Sequence, residues 1–176
     1  HVQANSTTNG GTVMNIAAGL LTFNVYKTNR LAFFESTLAS IRAAGLEPIV
    51  VTNGSVDQTD KLVRAQPRGI VDNSNSAMWY GLVRTVEAVI EQDTPDIVVF
   101  SADDITYHDG WLVELTQFWQ HAPDDVVLAG LFIEPEWPWN QATGVIDVDG
   151  IRALLRPSVP SASWTFRAVD WPLIRE

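Results

Sequence analysis

Two hydrophobic periods alternate along this chain from Ile16 onward, for about 110 residues, and that alternation narrows the fold more than anything else in it. Short apolar runs ("IAAGLLT", "PIVVTN", "GIVDN", "DIVVFS") each end in polar residues, as strands buried on both faces do. Between them, apolar residues recur at helical spacing. Leu31, Phe34, Leu38 and Ile41 form one stripe, closed by Gly45 where a left-handed C-terminal residue belongs. A short helix fits around Gln58 to Ala65. A longer one fits Ser76 to Gln92, with Met78, Leu82, Val86, Val89 and Ile90 on one side. A fourth fits "DGWLVELTQFWQ", with Asp109 as its cap and Trp111 and Trp119 on its core stripe. This order implies a single α/β, Rossmann-like domain: a mostly parallel sheet flanked by helices.

A fifth strand is expected in "DVVLAGLFI"; beyond it the pattern weakens. "EPEWPWNQATG" reads as a loop, and "GVIDVDG" and "SASWTFRAV" as strands of a different orientation. The first 13 residues are polar and aperiodic, a disordered, tag- or linker-like segment, so the domain is taken as 14–176. The sequence stops at "WPLIRE" with neither turn nor tail, which leaves open a natural chain that continues.

With 11 basic residues in no run and a formal charge of −10, the chain carries no strong nucleic-acid-binding signature. No apolar stretch approaches the roughly 18 residues of a spanning helix, so a soluble, cytoplasmic protein is expected. Without cysteine there are no disulfides and no thiolate metal sites.

In parallel sheets, ligands bind beyond the carboxyl ends of the strands. The unusual polar residues stand at those ends: Thr22 and Asn24, Thr52 and Asn53, Asp72 to Asn75, and the adjacent pair Asp103 and Asp104. Two neighbouring carboxylates repel each other, and burial raises the cost unless a cation offsets it. Taken alone, the pair reads equally well as a solvated turn; convergence of four segments on one rim favours a site. "NGSVDQT" alone is an ordinary turn, and gains weight from following a strand. His108, His121, Asp124 and Asp125 read as surface residues.

Five segments, in order, resemble the GT-A-type glycosyltransferases, especially the inverting family 2 that includes cellulose- and chitin-synthase relatives. They are "LLTFNVYKTNRLAFFESTLASI", "PIVVTNGSVDQT", "NSNSAMWYGLVRTV", "VVFSADDITYHDGWLVEL" and "SASWTFRAVDW". The resemblance implies a nucleotide-diphosphate-sugar donor, an acceptor hydroxyl of a glycan, lipid, protein or modified base, and Mn2+ or Mg2+. It makes Asp104 the metal ligand, direct or through water, with Asp103 nearer the ribose or the metal's waters. Ala102 holds the first motif position in place of an acid. Thr22, Phe23 and Asn24 would line base and ribose, Arg30 would approach the phosphates, and Asn53, Ser55 and Asp57 would carry the second signature. Asn75 and Ser76 would extend the site toward ribose and sugar. Thr52 stands where many relatives carry Asp, which leaves the base of the donor open.

An inverting transfer also needs a general base near the acceptor. By resemblance Asp170 is the first candidate and Glu134 the second, with a residue past Glu176 as a further alternative. Trp137, Trp139 and Trp164 are candidates for a sugar-facing platform. Two other functions stay open: a non-catalytic nucleotide-sugar-binding domain, and a nucleotidyltransferase on a similar fold. The second would want a glycine-rich loop after the first strand, and "TFNVYKTNR" has no glycine.

Overall fold

The computed structural model describes residues 14–74, 78–130, 143–155 and 162–176. Strands β1 (Ile16–Thr22), β2 (Ile49–Asn53), β3 (Gly69–Asp72) and β4 (Ile97–Ala102) run parallel in the order β3-β2-β1-β4. Helices α1 (Leu31–Ala43), α2 (Thr59–Arg64) and α3 (Met78–Asp93) make the crossovers, and α4 (Trp111–His121) follows β4. The alternation read from the sequence is therefore the architecture. Successive residues of each strand feed opposite layers. Ala17, Ile49, Val51, Val98 and Phe100 pack under α3, while Ala18, Leu20, Val50 and Val99 pack under α1, α2 and α4. Gly19 is required by this packing: a Cβ there would lie 2.6 Å from the Thr85 side chain, so α3 could not seat on β1.

Gly45 ends α1 as expected, with φ at 88° and its N–H bonded to the Arg42 carbonyl. Asp109 does not cap α4. The N-cap is Gly110, at φ 84°, and no side chain caps the helix. The fifth strand, β5, is described over Ala129–Gly130 only, and residues 131–142 lie outside the described part. "GVIDVDG" opens a hairpin that the sequence reading missed: β6 (Gly144–Val148) and β7 (Ile151–Leu155) pair antiparallel. Asp149 and Gly150 between them both have positive φ, the turn that an Asp-Gly pair favours.

β8 (Ser163–Arg167) returns antiparallel between β4 and β5, so it does have a different orientation. Its register sets Ser163 beside Ser101 and Arg167 beside Ile97. The chain therefore leaves β8 at the amino end of β4, into a single 3-10 turn (Ala168–Asp170) and α5 (Trp171–Arg175). The 1–13 segment and the "EPEWPWNQATG" loop up to residue 142 also lie outside the described residues.

Candidate active site

β1 neighbours β2 on one side and β4 on the other, so the strand order reverses at β1, and the crevice of such a sheet opens between the carboxyl ends of β1 and β4. There, side chains more than 70 residues apart in sequence meet. The Thr22 hydroxyl donates to Asp103 Oδ2 at 2.6 Å, and the Phe23 amide approaches the same oxygen at 3.4 Å. Arg30, at the N-cap of α1, pairs through Nη2 with Asp103 Oδ1. Its Nη1 lies 3.8 Å from Asp104 Oδ2. The adjacent acids are thus very different groups: Asp103 is 1% exposed and engaged on both oxygens, whereas the Asp104 side chain is 45% exposed.

Burial pushes the Asp103 carboxyl above the usual carboxylate value, and the nearby Asp104 charge adds to that. The Thr22 hydroxyl, the Arg30 guanidinium and the Phe23 amide pull it back without cancelling the rise. Among the described residues, no three acidic, histidine or cysteine side chains group as a metal cage. The open donor set is the Asp104 carboxylate. One carboxylate completed by substrate phosphates and water is a normal way to hold Mg2+ or a similar hard ion. The residues therefore fit a dication that arrives with a diphosphate, and do not fit one caged by protein alone.

The loops after β1 and β2 are tied to each other. The Asn24 amide donates to Ser55 Oγ at 3.0 Å, and Asn24 Oδ1 accepts from the Val56 amide at 2.8 Å. Ser55 Oγ also lies 2.6 Å from Thr52 Oγ1. Asp57 accepts from the amides of Lys27 and Thr59, each at 2.8 Å, and Thr59 Oγ1 accepts from the Val25 amide at 2.9 Å. Burial raises the Asp57 pKa, but the Thr59 hydroxyl and the amides of Lys27, Thr59 and Tyr26 outweigh it, and the net direction is down. Asn24 and Asn29 sit at positive φ (49° and 58°), a backbone that asparagine tolerates better than most residues and that folds 24–29 into a tight turn. So Thr22, Asn24, Ser55 and Asp57, all expected at the ligand, are hydrogen-bonded into the loops that frame the crevice. Phe23 at 43% exposure, Arg30 and Asp104 face the crevice. Asn53 is buried, with its Oδ1 accepting from the Ser74 hydroxyl at 3.2 Å.

A second support had no visible signal in the sequence. α1 also holds the acidic loop, through Ser36 Oγ to Thr106 Oγ1 at 2.9 Å and the Tyr107 amide to Ser40 Oγ at 3.2 Å. Tyr107 stacks on Trp111 and bonds Ser163 Oγ at 3.0 Å; burial pushes its hydroxyl above the usual value, so it stays neutral.

Asp170, the first candidate for the base, lies in the 3-10 turn after β8. Four residue steps along β8 separate the levels of Ser163 and Arg167, about 13 Å. Asp170 follows Arg167, at the end of the sheet opposite Asp103, because β8 runs antiparallel to β4. Trp164 is also no platform: it is 7% exposed, packed between Phe100 and Trp79. Glu134, Asn75, Ser76, Trp137 and Trp139 lie outside the described residues.

No curated protein matches the chain. The family model for glycosyl transferase family 2 matches residues 25–155, about three quarters of the chain, and spans α1, the loop after β2, α3, the acidic rim and the hairpin. The α/β sheet with its crevice at the β1/β4 ends is the GT-A arrangement, and the chain belongs to glycosyl transferase family 2.

Proposed function

We propose that this glycosyltransferase uses a nucleotide-diphosphate-sugar with Mn2+ or Mg2+, and transfers the sugar to an acceptor hydroxyl with inversion. The observation that carries the reading is the unequal pair of acids at the strand switch point: Asp103 locked by Thr22 and Arg30, Asp104 open beside the same arginine. Phe23 offers a ring face to the base and Arg30 its guanidinium to the diphosphate, and Asn75 and Ser76 are assigned to ribose and sugar by resemblance alone. Asp104 would hold the metal, which when bound supplies Lewis-acid neutralisation of the leaving diphosphate. The acceptor oxygen forms its bond to the anomeric carbon as the bond to the diphosphate breaks, the electron pair leaving with the diphosphate. The acceptor proton goes to a carboxylate base, for which Glu134 is the proposed residue.

A thermal-shift series with UDP-, GDP- and dTDP-sugars, each with and without Mn2+, tests this. A Mn2+-dependent rise with at least one donor, lost in Asp104→Ala, is expected. No shift with any donor would overturn the donor reading.

A further inference from the structure

Trp79, Val83 and Glu87 follow one another at four-residue spacing on α3, with Tyr80 and Arg84 on the adjoining four-residue row. Along these rows is a groove of about 480 Å3, lined by these five and by Arg175 of α5. Its upper end is level with the rim: in the first turn of α3, Gly81 lies against the side chains of Leu21 and Asn53, near the ends of β1 and β2. Trp79 remains 46% exposed and Tyr80 42%. The Trp79 ring leans on Trp164, centroids 6.1 Å apart at 59°, and Trp164 leans on Phe100 of β4 at the same spacing. Trp79 is therefore held on one side by the core and open on the other. Through Trp164 it stands over the β4/β8 part of the sheet.

The charges in the groove are matched internally. Arg175 is 2.9 Å from Glu87, and Arg84 is 3.8 Å from Asp72. A charged ligand would have to break one of these pairs. A neutral polyol needs what remains: flat apolar ring faces for its C–H face, and charged-group donors and acceptors for its hydroxyls. The volume is that of a small-ligand site. From Trp79 to Glu87 the helix rises about 12 Å, enough for about two or three pyranose rings.

We propose that this groove is a subsite for a neutral oligosaccharide on the acceptor side of the transfer, with Trp79 as its stacking platform and Tyr80, Arg84, Glu87 and Arg175 along its length. It rests on the reading of the crevice as the donor site. Calorimetric titration of the full chain with cellotetraose, chitotetraose, maltotetraose and mannotetraose tests it, run beside the donor thermal-shift series. At least one tetrasaccharide is expected to bind, at least tenfold more weakly in Trp79→Ala and in Arg175→Ala, with partial recovery in Trp79→Phe. The donor-induced shift should persist in the Trp79 variants, which also shows that they fold. Absence of binding by all four sugars overturns the subsite, as does binding indifferent to Trp79→Ala. So does a dimer in sedimentation that Trp79→Ala dissolves, which would make the groove an interface between copies. Sugar binding without any donor shift would keep the subsite and remove the donor reading; a donor shift without sugar binding would do the reverse.

Discussion

The two ends of the central sheet each hold an arginine against acids, and they use it differently. At the carboxyl end, Arg30 reaches two acids from another strand, and one of them, Asp104, stays open to solvent. At the amino end of β4, Arg167 is absorbed by structure. Its guanidinium donates to the carbonyls of Ala122 and Val126 at 3.0 Å and of Pro123 at 3.2 Å, and lies 5.1 Å over the Trp119 ring. This closes the chain just past α4, whose last carbonyls lack helical partners. Asp170 stands 4.0 Å from the same arginine, with Oδ2 buried and without a hydrogen-bond partner. A half-buried ion pair by itself thus says nothing about chemistry. The rim differs because its pair is shared with an exposed group over an open crevice, as a site that must accept a ligand requires.

Substitutions at each end can break or sharpen that contrast. The largest expected effect is Asp104→Ala: at least a hundredfold loss of transfer in a radiolabelled-sugar assay, with the melting temperature nearly unchanged because the side chain is exposed. Equal losses of activity and stability would put Asp104 in the scaffold. Next, Arg30→Ala should lower both donor affinity and stability. It leaves the buried Asp103 without its cation, a cost of about 1–3 kcal/mol by urea unfolding, at the lower end because Arg30 is itself partly exposed.

Asp57→Asn should cost less, about 1 kcal/mol at pH 7, since amides of both loops depend on that carboxylate. The folded Asp57 pKa lies below the usual 3.8, so its contribution is present above that value and lost as pH falls toward the folded pKa. Wild type and variant should therefore converge in urea unfolding at acid pH. Asp103 acts in the opposite sense: its raised pKa makes the folded state take up the proton first, so its ionisation costs stability as pH rises through that window. A gap that widens in acid would contradict the role given to Asp57. The smallest effect belongs to Asp170→Ala, which should leave transfer within about twofold of wild type while changing stability, since its oxygen sits 4.0 Å from Arg167. A large loss of transfer would return Asp170 to the reaction.

Strands β1 to β4 and helices α1 to α4 were legible because buried parallel strands and amphipathic helices write their periods directly into apolar spacing. The adjacent acids at the end of β4 were legible as an anomaly for the same reason: position along a strand follows from local pattern. The Asp-Gly of the β6–β7 hairpin was readable too, and was missed beside weaker signals. The end of the sheet at which Asp170 sits was not legible, because it depends on which neighbour β8 pairs with and in what register. The cap of α4 was misassigned for a related reason, since either Asp109 or Gly110 satisfies local rules and the left-handed turn at Gly110 is set by the loop that α1 holds.

The amino-acid order alone determined the layered α/β architecture and the end of the sheet where a ligand belongs, because both follow from short-range periodicity. Tertiary structure decided which of two neighbouring aspartates is a scaffold and which is open, since Thr22 and Arg30 come from 81 and 73 residues away. It also decided which tryptophan faces solvent. Burial and pairing are properties of surfaces brought together, and no stretch of chain carries them by itself.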